Sequence, residues 1–136
     1  MTGRISAELA RALRDSGLTW RPAAGDAFII DRVEADDEVF ILSDMTVEAH
    51  HFPTGTELGF NGTTEWALDS VPLEDALWLP QEHQLRELLG AAFVSLAVGP
   101  TVTATIDGVT SSFTADATAD AYARALLALL DSLAAE

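Results

Sequence analysis

Apolar residues Ile5, Leu9, Ala12 and Leu13 recur at three- and four-residue steps, with Arg4, Glu8, Arg11 and Arg14 between them. This is the period of a helix that lays one face on a core. The pattern predicts a helix from Ser6 to Asp15, closed at Ser16-Gly17, where glycine takes the left-handed conformation that ends a helix. Leu18-Thr19-Trp20-Arg21-Pro22 then reads as an extended link to a turn at Ala24-Gly25-Asp26. Ala27-Phe28-Ile29-Ile30 and Val39-Phe40-Ile41-Leu42 are short, continuous apolar runs. Continuity rather than alternation predicts strands covered on both faces, with Asp31 to Glu38 as the hairpin loop between them. After a turn at Ser43-Asp44-Met45, Thr46 to Phe52 reads as a third strand ending at Pro53-Thr54-Gly55, and Thr56 to Phe60 as a fourth.

Asn61-Gly62 is the pair favoured in a two-residue type I′ turn, because both central positions need positive φ. A fifth strand through Trp66 follows, with Phe60 opposite Thr63, Leu58 opposite Glu65 and Glu57 opposite Trp66. Asp69, Ser70 and Pro72 then open a short helical turn that carries Leu73 and Leu77. Pro80 fits the first turn of a second long helix, whose face holds Leu85, Leu88, Leu89, Ala92, Phe93 and Leu96 and which ends at Gly99-Pro100. Thr101 to Ile106 and Val109 to Ala115 flank Asp107-Gly108. A two-residue turn there pairs Ile106 with Val109, Ala104 with Ser111 and Val102 with Phe113, and puts Thr101, Thr103 and Thr105 on the other face. Such clean alternation marks a hairpin covered on one side or near a sheet edge. A last helix starts at Thr118, with Asp120 in its first turn and Tyr122, Ala125, Leu126, Leu129, Leu130 and Leu133 on one stripe.

The order α-ββ-ββ(β)-α-ββ-α contains no internal repeat and no linker, so the expectation is a single α+β domain over residues 1–136. Its sheet is mainly antiparallel, of five to seven strands, flanked by three helices; the continuous apolar strands favour a three-layer α/β/α sandwich.

A chain of 136 residues, 49% of them hydrophobic, has enough apolar mass for one continuous core. Seven basic residues against 22 acidic ones give a net charge of −15. That field repels phosphate backbones and anionic lipid, so neither nucleic acid nor a membrane surface is the expected partner, and a protein partner is. With no cysteine, disulfides, thiolate zinc sites and a cysteine nucleophile are excluded together. Met1 to Ser6 runs into the first helix without an apolar signal segment, and no run is long enough to span a bilayer; the expected location is the cytoplasm.

Few residues suggest chemistry. His50 and His51 are adjacent, so on a strand they point to opposite faces and cannot share one metal without a bulge. Glu48 and His50 do share a face and, with Asp44 or Glu38, form the one carboxylate and imidazole combination worth naming. His83, at the start of the second helix, reads as solvent-exposed. No Gly-x-Ser-x-Gly elbow and no glycine-rich phosphate loop occurs, and 22 acids are too many for spacing to single out a catalytic pair. Asn61-Gly62-Thr63 matches a glycosylation sequon, which its turn chemistry explains.

Asp37-Glu38-Val39-Phe40, Ser43-Asp44-Met45, Phe52-Pro53-Thr54-Gly55, the run Phe60 to Ser70 and Leu77-Trp78-Leu79-Pro80 together resemble a family of short actinobacterial proteins, often labelled pilus-assembly proteins by automated transfer. More loosely, Trp78-Leu79-Pro80 leading into Leu85 to Leu89, then a hairpin and an Ala- and Leu-rich helix, is similar to small phage-associated domains with an α/β/α sandwich. Both resemblances imply a fold, and neither brings catalytic residues or a cofactor.

The expectation is therefore a non-enzymatic protein-interaction or accessory module without cofactor or metal. The alternative is a small-ligand site, metal site or enzyme centred on Glu48 and His50. Trp66 is expected either buried under a second helical layer or, where one sheet face is open, at the centre of the partner surface with Glu57 and Thr64 beside it, because tryptophan is highly buried on average and enriched at interface hot spots. A homodimer is compatible with the sequence, although no heptad pattern specifies one.

Overall fold

The computed structural model describes residues 4–31, 38–42, 47–52, 55–60, 70–72 and 75–135; the strands between 47 and 72 are described by backbone and register. The described elements, in chain order, are α1 (Ala7–Asp15), β1 (Ala27–Ile30), β2 (Phe40–Ile41), β3 (Val47–Phe52), β4 (Gly55–Phe60), β5 (Ser70–Pro72), β6 (Ala76–Leu79), α2 (Glu82–Leu89), β7 (Phe93–Ala97), β8 (Thr101–Ile106), β9 (Val109–Thr114) and α3 (Thr118–Ala134). The class is α+β with antiparallel strand pairing, as expected. The described strands do not join one sheet; they divide among separate three-stranded sheets, ordered β2-β1-β6, β3-β4-β5 and β7-β8-β9. The chain falls into two compact units, one formed by residues 1–19 and 80–136, the other by residues 20–79.

In the first unit, Ser6 caps α1 by accepting a hydrogen bond from the Leu9 amide at 3.3 Å. The helix closes on Gly17 at φ +108, with Leu18 N–H donating to Leu13 O at 3.0 Å and Gly17 N–H to Arg14 O at 3.1 Å. This is the Schellman pair of bonds, and a Cβ at Gly17 would strain it. The Asp120 carboxylate in the first turn of α3 accepts from the Ser6 amide at 2.7 Å, which ties the starts of α1 and α3 together. Ala119, Ala121, Ala123 and Ala125 of α3 are all buried, and side chains this small let neighbouring elements approach closely.

α3 packs on β8 and β9 as well as on α1 and α2. Val102 and Ala104 of the central strand β8 are fully buried, while the opposite face carries Thr101, Thr103 and Thr105. Those threonines pair across the hairpin with Thr114, Ser112 and Thr110 through hydroxyl contacts of 2.9, 3.1 and 2.8 Å. The helices of this unit thus serve one face of the sheet, which makes the unit two-layered and answers to the alternation of β8. The β8–β9 register is the expected one, with Ile106 opposite Val109, Ala104 opposite Ser111 and Val102 opposite Phe113. Asp107 at φ +53 and Gly108 at φ +78 supply the two positive-φ positions of the turn.

The second long helix is shorter than its periodicity implies. α2 ends at Leu89, Gly90 turns at φ +55 into a short 3-10 turn, and Phe93–Ala97 is a strand instead of helix. Leu96 thereby faces Val102 of β8 instead of continuing a helical stripe. Gln81 stands before the first helical residue in place of Pro80, and its amide donates to the Gln84 side chain at 2.9 Å.

In the second unit, β1 lies between β2 and β6, and Ala27, Phe28 and Ile29 are buried, as a continuous apolar run requires. β2 is an edge strand whose Ile41 is exposed, so only β1 of the two expected strands is covered on both sides. Leu77 was expected on a helical turn; it lies instead in β6, buried opposite Ile29. Ala76-Leu77-Trp78-Leu79 is a four-residue apolar run like β1 itself, and pairing with β1 satisfies its backbone.

Trp20, Phe28, Phe40 and Trp78 form an aromatic cluster, with ring centroids 5.4 Å apart for Trp20 and Phe28, 6.5 Å for Trp20 and Trp78 and 5.6 Å for Phe28 and Phe40. Asp26, 5% exposed, accepts from Trp20 Nε1 at 2.9 Å and from the Ala23 amide at 3.0 Å. The indole N–H of Trp78 is buried without a hydrogen-bond partner among the described residues.

Candidate functional site

The surface expected around Trp66 is only partly within view. Trp66, Thr64 and the Asn61-Gly62 turn lie outside the described residues. Glu57 lies on β4, and the register there departs from the expected hairpin: β4 pairs with Ser70–Pro72, setting Glu57 opposite Pro72, Leu58 opposite Val71 and Gly59 opposite Ser70. A two-residue turn at Asn61-Gly62 would have set Leu58 opposite Glu65. The observed register opposes two apolar residues instead, and a cross-strand apolar pair stabilises a sheet more than an apolar residue facing a carboxylate.

On its other side β4 forms a tight hairpin with β3, since Phe52 is opposite Gly55 and only Pro53 and Thr54 intervene. His50 is opposite Glu57, His51 opposite Thr56 and Glu48 opposite Gly59. Alternation then places Glu48, His50 and Glu57 on one face of the hairpin and His51 on the other. The expected separation of the two histidines holds, and Glu57 joins the Glu48 and His50 pair. Asp44 lies outside the described residues, and Glu38 is exposed. His83 is exposed on α2. Among the residues whose side chains are described, no group of three His, Asp or Glu is placed to hold a metal ion.

Charge divides unevenly between the two units. Residues 20–79 contain 13 of the acidic residues and two arginines, whereas the rest of the chain contains nine acidic residues and five arginines. From Phe93 to Ile106, through β7 and β8, there is no charged residue at all.

β7 is the edge of its sheet, paired only with β8 among the described residues. Its inner end is anchored by Phe93, which stacks on Tyr122 at 5.9 Å and carries the Arg86 guanidinium 4.4 Å above its ring. A bulge at Val94 follows, because Phe93 is opposite Ala104 while Ser95 is already opposite Thr103. Val94 is 53% exposed, Leu96 44% and Val98, just past the strand, 102%. Edge strands are normally blunted by lysine, proline or inward charge, and β7 has none of these. On the other edge strand, β9, the hydroxyls of Thr110, Ser112 and Thr114 are taken up by the cross-strand pairs to β8. Sequence reasoning missed β7 because Leu85 to Leu96 also fits a helical period. The signals for it were Gly90 and the alternate apolar positions Val94, Leu96 and Val98.

No protein-family model matches the chain, and neither a curated protein nor a solved structure is similar to it. No helix among the described residues is long and apolar enough to cross a membrane.

Proposed function

We propose that this protein is a non-enzymatic, cytoplasmic protein-interaction or accessory module that receives an extended segment of a partner protein along the outer edge of β7. The observation that carries the reading is the charge-free outer edge of β7, unpaired among the described residues, with Val94 and Leu96 exposed on the strand and Val98 exposed just past it, in a chain of net charge −15. An added strand gains main-chain hydrogen bonds from such an edge, and side chains at alternate positions supply specificity. The acidity of the chain selects a partner segment with basic flanks, since complementary charge steers encounter while a second copy of equal charge is repelled.

The test is a library of peptides with apolar residues at alternate positions and Lys or Arg flanks, selected against the wild-type protein and titrated by fluorescence anisotropy. Binding that is salt-sensitive and lost in Leu96→Lys, but kept in Val109→Lys on the β9 edge, supports the proposal. Equal binding by wild type and Leu96→Lys overturns it. So does concentration-dependent dimerisation of the wild type that Leu96→Lys abolishes, because the occupant of the edge is then a second copy.

A further inference from the structure

We infer that the segment received along β7 is the C-terminal end of a partner protein, running antiparallel to β7 and ending with its terminal carboxylate on the Arg86 guanidinium. The inference rests on the β7 reading and adds to it the direction of the partner segment and the group at its end. Arg86, exposed on α2, holds its guanidinium 4.4 Å above the Phe93 ring, whose stacking partner on the core side is the buried Tyr122. The cation is thus fixed at the first residue of β7, on the solvent side of the ring. Among the described residues no carboxylate pairs with Arg86, although the chain carries 22 acidic residues and Glu82 stands one helical turn away on α2. Its N–H donors form a planar fork that matches a carboxylate with two parallel hydrogen bonds.

The direction follows from the sheet. β7, β8 and β9 pair antiparallel throughout, and antiparallel pairing is the more stable per residue. A segment antiparallel to β7 enters beside Ala97 and finishes beside Phe93. The edge ends there, because the chain before Phe93 is the 3-10 turn Gly90–Ala92 and offers no extended backbone to pair with. An added strand lies about 4.8 Å from its neighbour, so its last residue stands beside Phe93 and its carboxylate comes within reach of the guanidinium that covers that ring. From Phe93 to Ile106 the chain has no charged residue, so Arg86 is the charge fixed at that end of the edge. Lys and Arg of the partner then belong to its upstream flank, where the −15 field attracts them away from the like charge of Arg86.

The probe is the tightest peptide selected on the wild type from a library with lysines upstream, apolar residues at alternate positions and a free C-terminus. It is resynthesised as the free acid and as the C-terminal amide, and both forms are titrated into the full chain by fluorescence anisotropy. The expected result is binding of both forms to the wild type, the free acid tighter by about tenfold, the scale of one charge-assisted hydrogen-bonded pair. Arg86→Gln removes that preference yet binds the amide as the wild type does, which a general loss of structure at Phe93 would not allow. Arg86→Lys, which keeps the charge and loses the fork, retains part of the preference. Leu96→Lys abolishes binding of both forms. Equal affinity of acid and amide for the wild type, with Leu96→Lys still abolishing both, overturns the carboxylate site and leaves the β7 reading standing. Equal binding by wild type and Leu96→Lys overturns the β7 reading and this inference with it, as does a wild type that selects no peptide. An amidated peptide ending in glutamate that binds as tightly as the free acid also overturns the inference, because the group taken by Arg86 is then a side chain and not a chain end.

Discussion

Replacing Gly108 by valine isolates the backbone cost of the turn that sets the β8–β9 register. Gly108 sits at φ +78, and a Cβ built there meets no heavy atom within 4 Å, so the substitution introduces strain without a clash. An L-residue in the left-handed region costs about 1–2 kcal/mol, and a β-branched one belongs near the top of the 1–3 kcal/mol range for strained positions. Removing a glycine also restricts the unfolded chain, which offsets about 0.4–1 kcal/mol. The net loss is therefore about 2 kcal/mol, which for a chain of this size lowers the thermal midpoint by roughly 6–8 °C. Asparagine, which tolerates positive φ, should cost only a few tenths of a kcal/mol at the same position. Far-UV circular dichroism on Gly108→Asn, Gly108→Ala and Gly108→Val should rank them in that order of falling midpoint. A valine variant as stable as the asparagine variant would refute the two-residue turn, and with it the pairing of Val102 with Phe113.

Other substitutions test the aromatic cluster of the second unit. Asp26→Ala removes the buried carboxylate that accepts from the half-buried Trp20 Nε1 and from the Ala23 amide, for an expected loss of about 1–2 kcal/mol in urea unfolding, together with a change in tryptophan emission. Trp78→Phe should destabilise less than Trp20→Phe by the same assay: the Trp78 indole N–H is buried and unpartnered among the described residues, so its removal relieves a desolvation cost, whereas Trp20 loses a bond to Asp26. In the first unit, Leu126→Ala truncates a side chain that is 2% exposed, for an expected cost of about 2–5 kcal/mol.

The elements legible in the sequence are those fixed by local turn and cap chemistry. Ser6 and Gly17 bound α1 as expected, and Asp107-Gly108 sets the last hairpin residue for residue, because these decisions involve neighbours in the chain. The elements that escaped are those decided by distant pairing. Ala76–Leu79 and Phe93–Ala97 adjoin helical patterns, and four or five apolar residues do not distinguish strand from helix until β1 or β8 offers a partner. Strand β4 illustrates the same point, since its observed register sets Leu58 opposite Val71. Division into separate sheets also depends on which strands meet, which no single run encodes. Leu96, read as a buried helical position, is exposed for the same reason, because it stands on an edge strand.

Hydrogen–deuterium exchange across Phe93 to Ile106 tests the central claim most directly. In the free protein the amides of β8, paired on both sides, should exchange slowly, and the outward-facing amides of β7 should exchange fast. With a selected peptide bound, protection should rise on β7 and stay unchanged on β9, as main-chain bonds form along that edge. Protection that appears on β9 or on residues 20–79 while β7 still exchanges freely would contradict the β7 edge as the partner site.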